Sequence, residues 1–240
     1  MEILDEKTIG AIVTDDYRTA SVFEKYHIDF CCNGNRPLSE VCEQQGLDSS
    51  IIANELVEST QQNKTQNLNY NSWPLDLLAN YIEKKHHTYV EEQISVLKGY
   101  LQKIEGVHAH RHPELFKIRG LFELSAGQLS MHMKKEELVL FPFIRKLSNA
   151  KKSGLKLDTP IFGTVENPIA TMMREHDDEG ESFKEIAKLS NNYTPPSDAC
   201  TTYIVAYKVL KEFQDDLHLH IHLENNILFP KAVELEKELM

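Results

Sequence analysis

A histidine, a glutamate four residues later and a closing Leu-Phe-Pro occur twice at the same offsets in this 240-residue chain. The first copy, HMKKEELVLFP, covers residues 132–142, and the second, HIHLENNILFP, covers residues 220–230. Around both copies apolar residues recur every three or four positions, which is typical of amphipathic helices. Residues four apart share a helix face, so each copy presents its imidazole and its carboxylate on one side. The repeat therefore favours a bundle with a polar pair at equivalent points in two helices.

Helical periodicity continues through four long segments, and no segment alternates like a strand. The segments cover residues 74–104, 113–146, 167–190 and 198–229. We therefore predict an all-α protein whose main part is a four-helix bundle. Because proline lacks an N–H group, we expect Pro230 to end its helix and Pro142 to end or kink another.

Six polar residues fall on the apolar stripes and should point into the bundle. They are His86, His132, Glu136, His176, His220 and Glu224. His87 is turned by about 100° from its neighbour in an α-helix and is expected to point away. His218 and His222 likewise fall off the stripe of the last helix.

Two buried carboxylates need compensation, because an unpaired buried charge costs several kcal/mol and these stripes carry no Lys or Arg. The spacing from His86 to His132 is 46 residues, and that from His176 to His220 is 44. Two equivalent hairpins would thus give two adjacent metal positions that share both carboxylates. Imidazole and carboxylate without thiolate suit iron or manganese better than structural zinc.

The chain is predicted to divide into a small helical module (residues 1–60), a linker rich in Gln and Asn (61–72) and the bundle (73–240). Short helices are expected at residues 16–26, 38–45 and 50–57. The module contains adjacent Cys31 and Cys32, between which a disulfide would be strained and easily reduced. Transient redox or metal contact is one interpretation, and two thiols packed in a small core is the other. Cys42 and Cys200 are expected to pack on their helices.

Charge and hydropathy exclude several classes of function. The formal net charge of −11 argues against nucleic acid or an anionic membrane surface as the main partner. No run of about 18 apolar residues could span a membrane, and MEILDEKTIG lacks the features of a signal peptide. A cytoplasmic location is therefore expected.

The two His-Glu copies, EHDDEG around His176 and DFCCNGNRPLSEVC at residues 29–42 together resemble a known family. This is the iron-sulfur cluster repair di-iron proteins, or repair of iron centres family, which has a hemerythrin-like domain. The resemblance implies a non-haem centre of two iron ions with oxo or hydroxo and carboxylate bridges. Carried over by residue, its ligands are His86, His132, Glu136, His176, His220 and Glu224. A rotated first helix, which would present His87 in place of His86, is the alternative.

The resemblance also implies a function: repair of iron-sulfur clusters damaged by oxidative or nitrosative stress, with the damaged proteins as clients. Cys31 and Cys32 would then act as redox or iron-transfer thiols. The alternatives are reversible binding or sensing of dioxygen or nitric oxide, and a di-iron nitric oxide reductase. A dioxygen carrier would use five histidines, and the sequence places only four on the stripes. Both a monomer and a homodimer are compatible with the family.

Overall fold

The structure, a computed structural model, describes residues 6–62 and 68–240. Helices form nearly all the regular structure of these two ranges, and their single sheet-like contact is an antiparallel bridge between Thr8 and Pro37. The prediction of an all-α protein is confirmed. Residues 1–5, half of the segment searched for a signal peptide, lie outside the described ranges.

Four short helices form the N-terminal part of the chain. They are α1 (Ile9–Asp15), α2 (Ala20–Lys25), α3 (Leu38–Gln45) and α4 (Ser49–Gln62). The side chain of Thr8 caps α1 by accepting a hydrogen bond from the N–H of Ala11 at 3.3 Å. Gly46, with φ of +66°, ends α3 in the left-handed conformation that glycine adopts without strain.

The predicted linker, residues 61–72, is only partly described. Helix α4 runs through its first two residues, further than the predicted end at residue 57. Residues 63–67 lie outside the described ranges, and Tyr70–Ser72 forms a short 3₁₀ turn.

Four long helices, residues 75–108, 114–153, 166–189 and 201–239, form the bundle. Three of them contain one π-helical turn each between α-helical segments. The α segments are α5 (Leu75–Tyr81), α6 (Thr88–His108), α7 (Glu114–Lys135), α8 (Phe141–Ser153), α9 (Glu166–Leu189), α10 (Thr201–Leu223) and α11 (Phe229–Leu239). The π turns are π1 (Ile82–His87), π2 (Glu136–Leu140) and π3 (Glu224–Leu228).

Neither proline of the repeated motif ends a helix. Pro142 and Pro230 are the second residues of α8 and α11, which continue to Ser153 and Leu239. The prediction that Pro230 ends its helix is wrong. The π turn before each proline changes the hydrogen-bond spacing, and the missing N–H falls in the first turn of the next α segment, where proline is tolerated.

Each bundle helix contributes residues to two apolar clusters, and the polar residues of the stripes lie between these clusters. In the first helix Ile82 belongs to one cluster and Val90 to the other. In the last helix Leu217 belongs to the same cluster as Val90, and Ile227 belongs to the same cluster as Ile82. The polar residues therefore form a layer that crosses the bundle between two hydrophobic regions.

The N-terminal helices belong to the apolar cluster that contains Val90 and Leu217. Cys42 is buried in α3, as predicted. Cys200 is exposed and is the N-cap residue of α10, so the prediction that it packs on its helix is wrong.

Candidate metal centre

The polar layer contains two groups of four residues whose ligand atoms lie within 4.8 Å of one another. One group is His87, Glu136, His220 and Glu224, and the other is His132, Glu136, His176 and Glu224. Every member is buried. Glu136 and Glu224 belong to both groups, so the geometry defines two adjacent positions with two shared carboxylates.

Hydrogen bonds from Nδ1 orient three of the imidazoles. His87 pairs with Glu137 Oε1 at 3.0 Å, His132 with Glu175 Oε2 at 2.8 Å, and His176 with Asn225 Oδ1 at 2.8 Å. An imidazole that donates from Nδ1 keeps a lone pair on Nε2, the usual arrangement of a metal-binding histidine. The Nε2 atoms of His132 and His176 lie only 3.0 Å apart. Two opposed lone pairs at this distance require a proton or a metal ion between them.

Several buried atoms of the centre have no hydrogen-bond partner. They include both carboxylate oxygens of Glu136, Oε2 of Glu224 and Nε2 of His87. Among the described residues, the ion-pair partners of the two carboxylates are histidines alone. Leaving such groups unpaired is costly, and a coordinated cation would satisfy all of them. The residues present therefore fit a metal centre.

Without a metal, the two buried carboxylates stay ionised and favour a proton on His132. Burial opposes ionisation of Glu224, but His220 and His176 keep its pKa well below the usual value. Burial also opposes protonation of His132, yet Glu136 and Glu224 raise its pKa to about 10. A metal ion that binds the imidazole nitrogen must displace this proton.

The π turns coincide with the polar layer. π1 ends at His87, π2 begins at Glu136 and π3 begins at Glu224. A π turn contains more residues than an α turn, so consecutive side chains are spread over a smaller angle. As a result His86 and His87 are both buried, with 0% and 1% of their surface exposed. The prediction that His87 points out of the bundle is wrong.

His86 is buried beside the two groups but belongs to neither. Its Nδ1 lies 3.0 Å from Asp216 Oδ2, and its ring stacks on that of His220 with 5.6 Å between centroids. The α-helical periodicity predicts His86 rather than His87, and the adjacency of the two histidines is the sequence signal for the alternative. The other two histidines that fell off the stripe, His218 and His222, also lie outside both groups and contact Phe30 of the N-terminal part.

The cysteine pair lies against the bundle helix that carries His176. Sγ of Cys31 and Sγ of Cys32 are 3.7 Å apart, and together with a carboxylate oxygen of Asp29 they form a third group within 4.8 Å. Cys32 Sγ donates to the main-chain oxygen of His176 at 3.5 Å. Hydrogen bonding with Cys32 and burial raise the pKa of the Cys31 thiol well above its ordinary value.

Comparison with known proteins places the bundle in a class. A family model described as the hemerythrin HHE cation binding domain matches residues 79–232. Residues 5–60 match a second model, described as a domain of unknown function (DUF542). The fold and the His/Glu layer thus define a hemerythrin-type cation-binding protein with an additional N-terminal part.

Full-length relatives identify the family. The iron-sulfur cluster repair protein YtfE of Musicola paradisiaca is 32% identical over 231 residues, 96% of this chain and 98% of that protein. The proteins of the same name from Cronobacter sakazakii and Escherichia coli O8 are each 33% identical, over 97% and 95% of this chain and 98% and 97% of their own lengths. The chain belongs to the family of iron-sulfur cluster repair proteins, which confirms the resemblance. In the part that the structure describes, no helix is long and apolar enough to cross a membrane.

Proposed function

We propose that this protein binds two iron ions in the shared His/Glu centre and handles iron during repair of damaged iron-sulfur clusters. The observation that carries the proposal is the pair of buried ligand groups with Glu136 and Glu224 in common. Imidazole and carboxylate donors without thiolate suit iron. The names of the relatives support the repair function. The proposed clients are damaged iron-sulfur proteins in the cytoplasm.

The proposed ligands follow the geometry. His87 and His220 would serve one ion, His132 and His176 the other, and both glutamates would bridge. His87 takes the place of the predicted His86. His86 lies outside both groups, and its buried Nε2 has no hydrogen-bond partner. Positions left open by these six residues are available to oxo or hydroxo bridges and exchangeable ligands.

Bound iron would supply one-electron redox chemistry at a buried position. The chain's own residues orient the imidazoles through Glu137, Glu175 and Asn225 and exclude bulk water. Iron released as cargo would meet the group formed by Asp29, Cys31 and Cys32, which lies against the main chain of His176. We propose these thiols as the transfer or redox residues, carried by a separate module (residues 1–60) that is linked by residues 61–72 to the bundle (73–240).

Elemental analysis and Mössbauer spectroscopy of protein grown with iron-57 test the proposal. We expect about two irons per chain, coupled antiferromagnetically through the proposed oxo or hydroxo bridge. Glu136→Ala and Glu224→Ala should each lose iron and repair activity. Full iron content and repair activity in both variants, or zinc in place of iron, would overturn the assignment.

Binding or turnover of a diatomic gas is the alternative function for the same centre. The four histidines on the predicted stripes were an argument against a dioxygen carrier, whereas the structure buries His86 beside the four histidines of the two groups. Optical titration of the reduced protein with dioxygen and with nitric oxide separates the two functions. Steady production of nitrous oxide would favour a reductase, and reversible binding of dioxygen would favour a carrier or sensor.

A further inference from the structure

A cysteine and a histidine form a close pair at the end of the bundle away from the metal centre. Sγ of Cys200 lies 3.2 Å from Nε2 of His108. His108 is the last residue of α6, and Cys200 is the N-cap residue of α10. The 21 residues of α6 separate His108 from the π1 turn, a distance of about 30 Å at the rise of an α-helix. The pair is therefore remote from the iron ligands.

The surroundings of the pair hold the imidazole in place and leave the thiol accessible. His108 is buried, with its ring packed against the ring of Tyr203 at 5.3 Å between centroids. Cys200 is exposed. The neighbouring His112 contacts Asp198 and Glu114 through its two ring nitrogens. His108 is thus the imidazole aimed at the thiol, while His112 is held by carboxylates.

Cys200 also lies at the start of a long helix. The N–H groups in the first turn of a helix have no partner within the helix, and the helix dipole stabilises an anion there. The Cys200 side chain makes no capping hydrogen bond to α10, a helix of 23 residues. A thiolate at this position would lie next to a buried imidazole and close to the start of a helix, two features that activate cysteines in proteins.

We propose that Cys200 is a reactive thiol, activated by His108, that forms mixed disulfides with low-molecular-weight disulfides. In the tautomer protonated at Nδ1, Nε2 of His108 takes the proton from Cys200. The thiolate attacks one sulfur of the disulfide, one S–S bond forms as the other breaks, and the departing thiolate recovers a proton from His108. The exchange needs no oxidant besides the disulfide itself.

The other thiols are less suited to this reaction. Cys31 and Cys42 are buried, and the raised pKa of the Cys31 thiol keeps it protonated. Cys32 is partly covered and donates to the main chain of His176. Cys200 should therefore react first, without any change at the metal centre.

The test is the reaction of the full-length, iron-loaded protein with glutathione disulfide, followed by peptide mass mapping at each cysteine. A synthetic peptide of residues 195–207 gives the rate of the same thiol without the fold. We expect Cys200 in the protein to react at least about tenfold faster than in the peptide, and His108→Gln to remove most of this gain. His112→Gln is the matched control and should keep the wild-type rate.

A Cys200 rate in the folded protein equal to that of the peptide would overturn the proposal. An unchanged rate in a folded His108→Gln variant would contradict the activation of Cys200 by His108. If circular dichroism shows that this variant is unfolded, the comparison of the wild-type protein with the peptide still decides whether the thiol is activated.

Discussion

At the scale of single residues, Glu136 and Glu224 determine the charge state of their neighbours. Both carboxylates are buried, and Glu224 lies 3.1 Å from Nε2 of His176 and from Nε2 of His220. Without metal, His132 compensates this charge by holding a proton, because Glu136 and Glu224 raise its pKa to about 10. With metal, the same atoms would become ligands, so occupancy and protonation exclude each other.

His87→Gln tests which of the adjacent histidines binds iron. We expect this variant to retain at most about one iron per chain, because one position loses an imidazole while the other keeps both of its own. His86→Gln is the matched control and should retain about two. Elemental analysis of the purified variants measures the result, and the reverse order of iron contents would restore His86 as the ligand.

Glu179 gives a prediction about pH. It is buried in α9 and accepts a hydrogen bond from Ser125, and burial raises its pKa from 4.5 to about 7. The unfolded chain releases this proton near pH 4.5, whereas the folded chain keeps it until about pH 7. The native state therefore loses stability as the pH rises through this interval.

The Glu179→Gln substitution should remove this loss of stability at high pH. In iron-free protein at pH 8 we expect its free energy of unfolding to exceed that of the wild type by up to about 3 kcal/mol, with little difference near pH 4.5. Urea denaturation of protein with native helical circular dichroism provides the measurement. Glu181→Gln, at an exposed side chain, should show no such dependence on pH. An equal gain in the free energy of unfolding at pH 8 and near pH 4.5 would exclude titration of Glu179 as the cause.

Periodicity predicted the buried positions of His132, Glu136, His176, His220 and Glu224, because each lies among apolar residues at α-helical spacing. It failed at His87. The π1 turn changes the angle per residue just before this position, and a pattern based on 3.6 residues per turn carries no sign of that change.

At the scale of helices, the repeated motif is a structural unit with a π turn in its middle. In both copies the turn begins at the glutamate and ends at the leucine before Phe-Pro. Proline cannot donate the hydrogen bond that a continuous α-helix would require at its position. The proline therefore favours the π turn, and the π turn sets the direction of the glutamate that both groups share.

Replacing both prolines by alanine tests this role. In Pro142→Ala/Pro230→Ala, continuous α-helical bonding becomes available, so we expect unchanged helical content but faster loss of iron to a chelator. Pro113→Ala, which changes the residue before α7 where no π turn is present, is the control. If the double variant kept the wild-type rate of iron loss, proline would have no part in holding the π turns.

At the scale of the whole molecule, two asparagines connect the N-terminal part to the polar layer. Asn225 and Asn226 both donate to the main-chain oxygen of Cys31, at 3.3 and 3.2 Å. Asn225 also accepts from Nδ1 of His176. The sequence left the docking of the module open, because side-chain amides that bind a main-chain oxygen leave no periodic pattern.

Asn225→Ala and Asn226→Ala separate docking from metal binding. Both variants lose one hydrogen bond to Cys31, but only the first also frees His176. Loss of an orienting hydrogen bond typically lowers metal affinity about 10- to 100-fold. We expect this loss in Asn225→Ala alone, measured by competition with an iron chelator. Equal affinities in the two variants would contradict a role for Asn225 in positioning His176.

The sharing of Glu136 and Glu224 would link the two proposed metal positions thermodynamically. The first ion to bind would fix both carboxylates in the orientation that the second ion needs, so binding at one position should raise the affinity of the other. Cooperative loading of this kind makes the half-filled protein scarce. Chains in a population short of iron would then be either empty or complete, and the protein would release its iron in pairs.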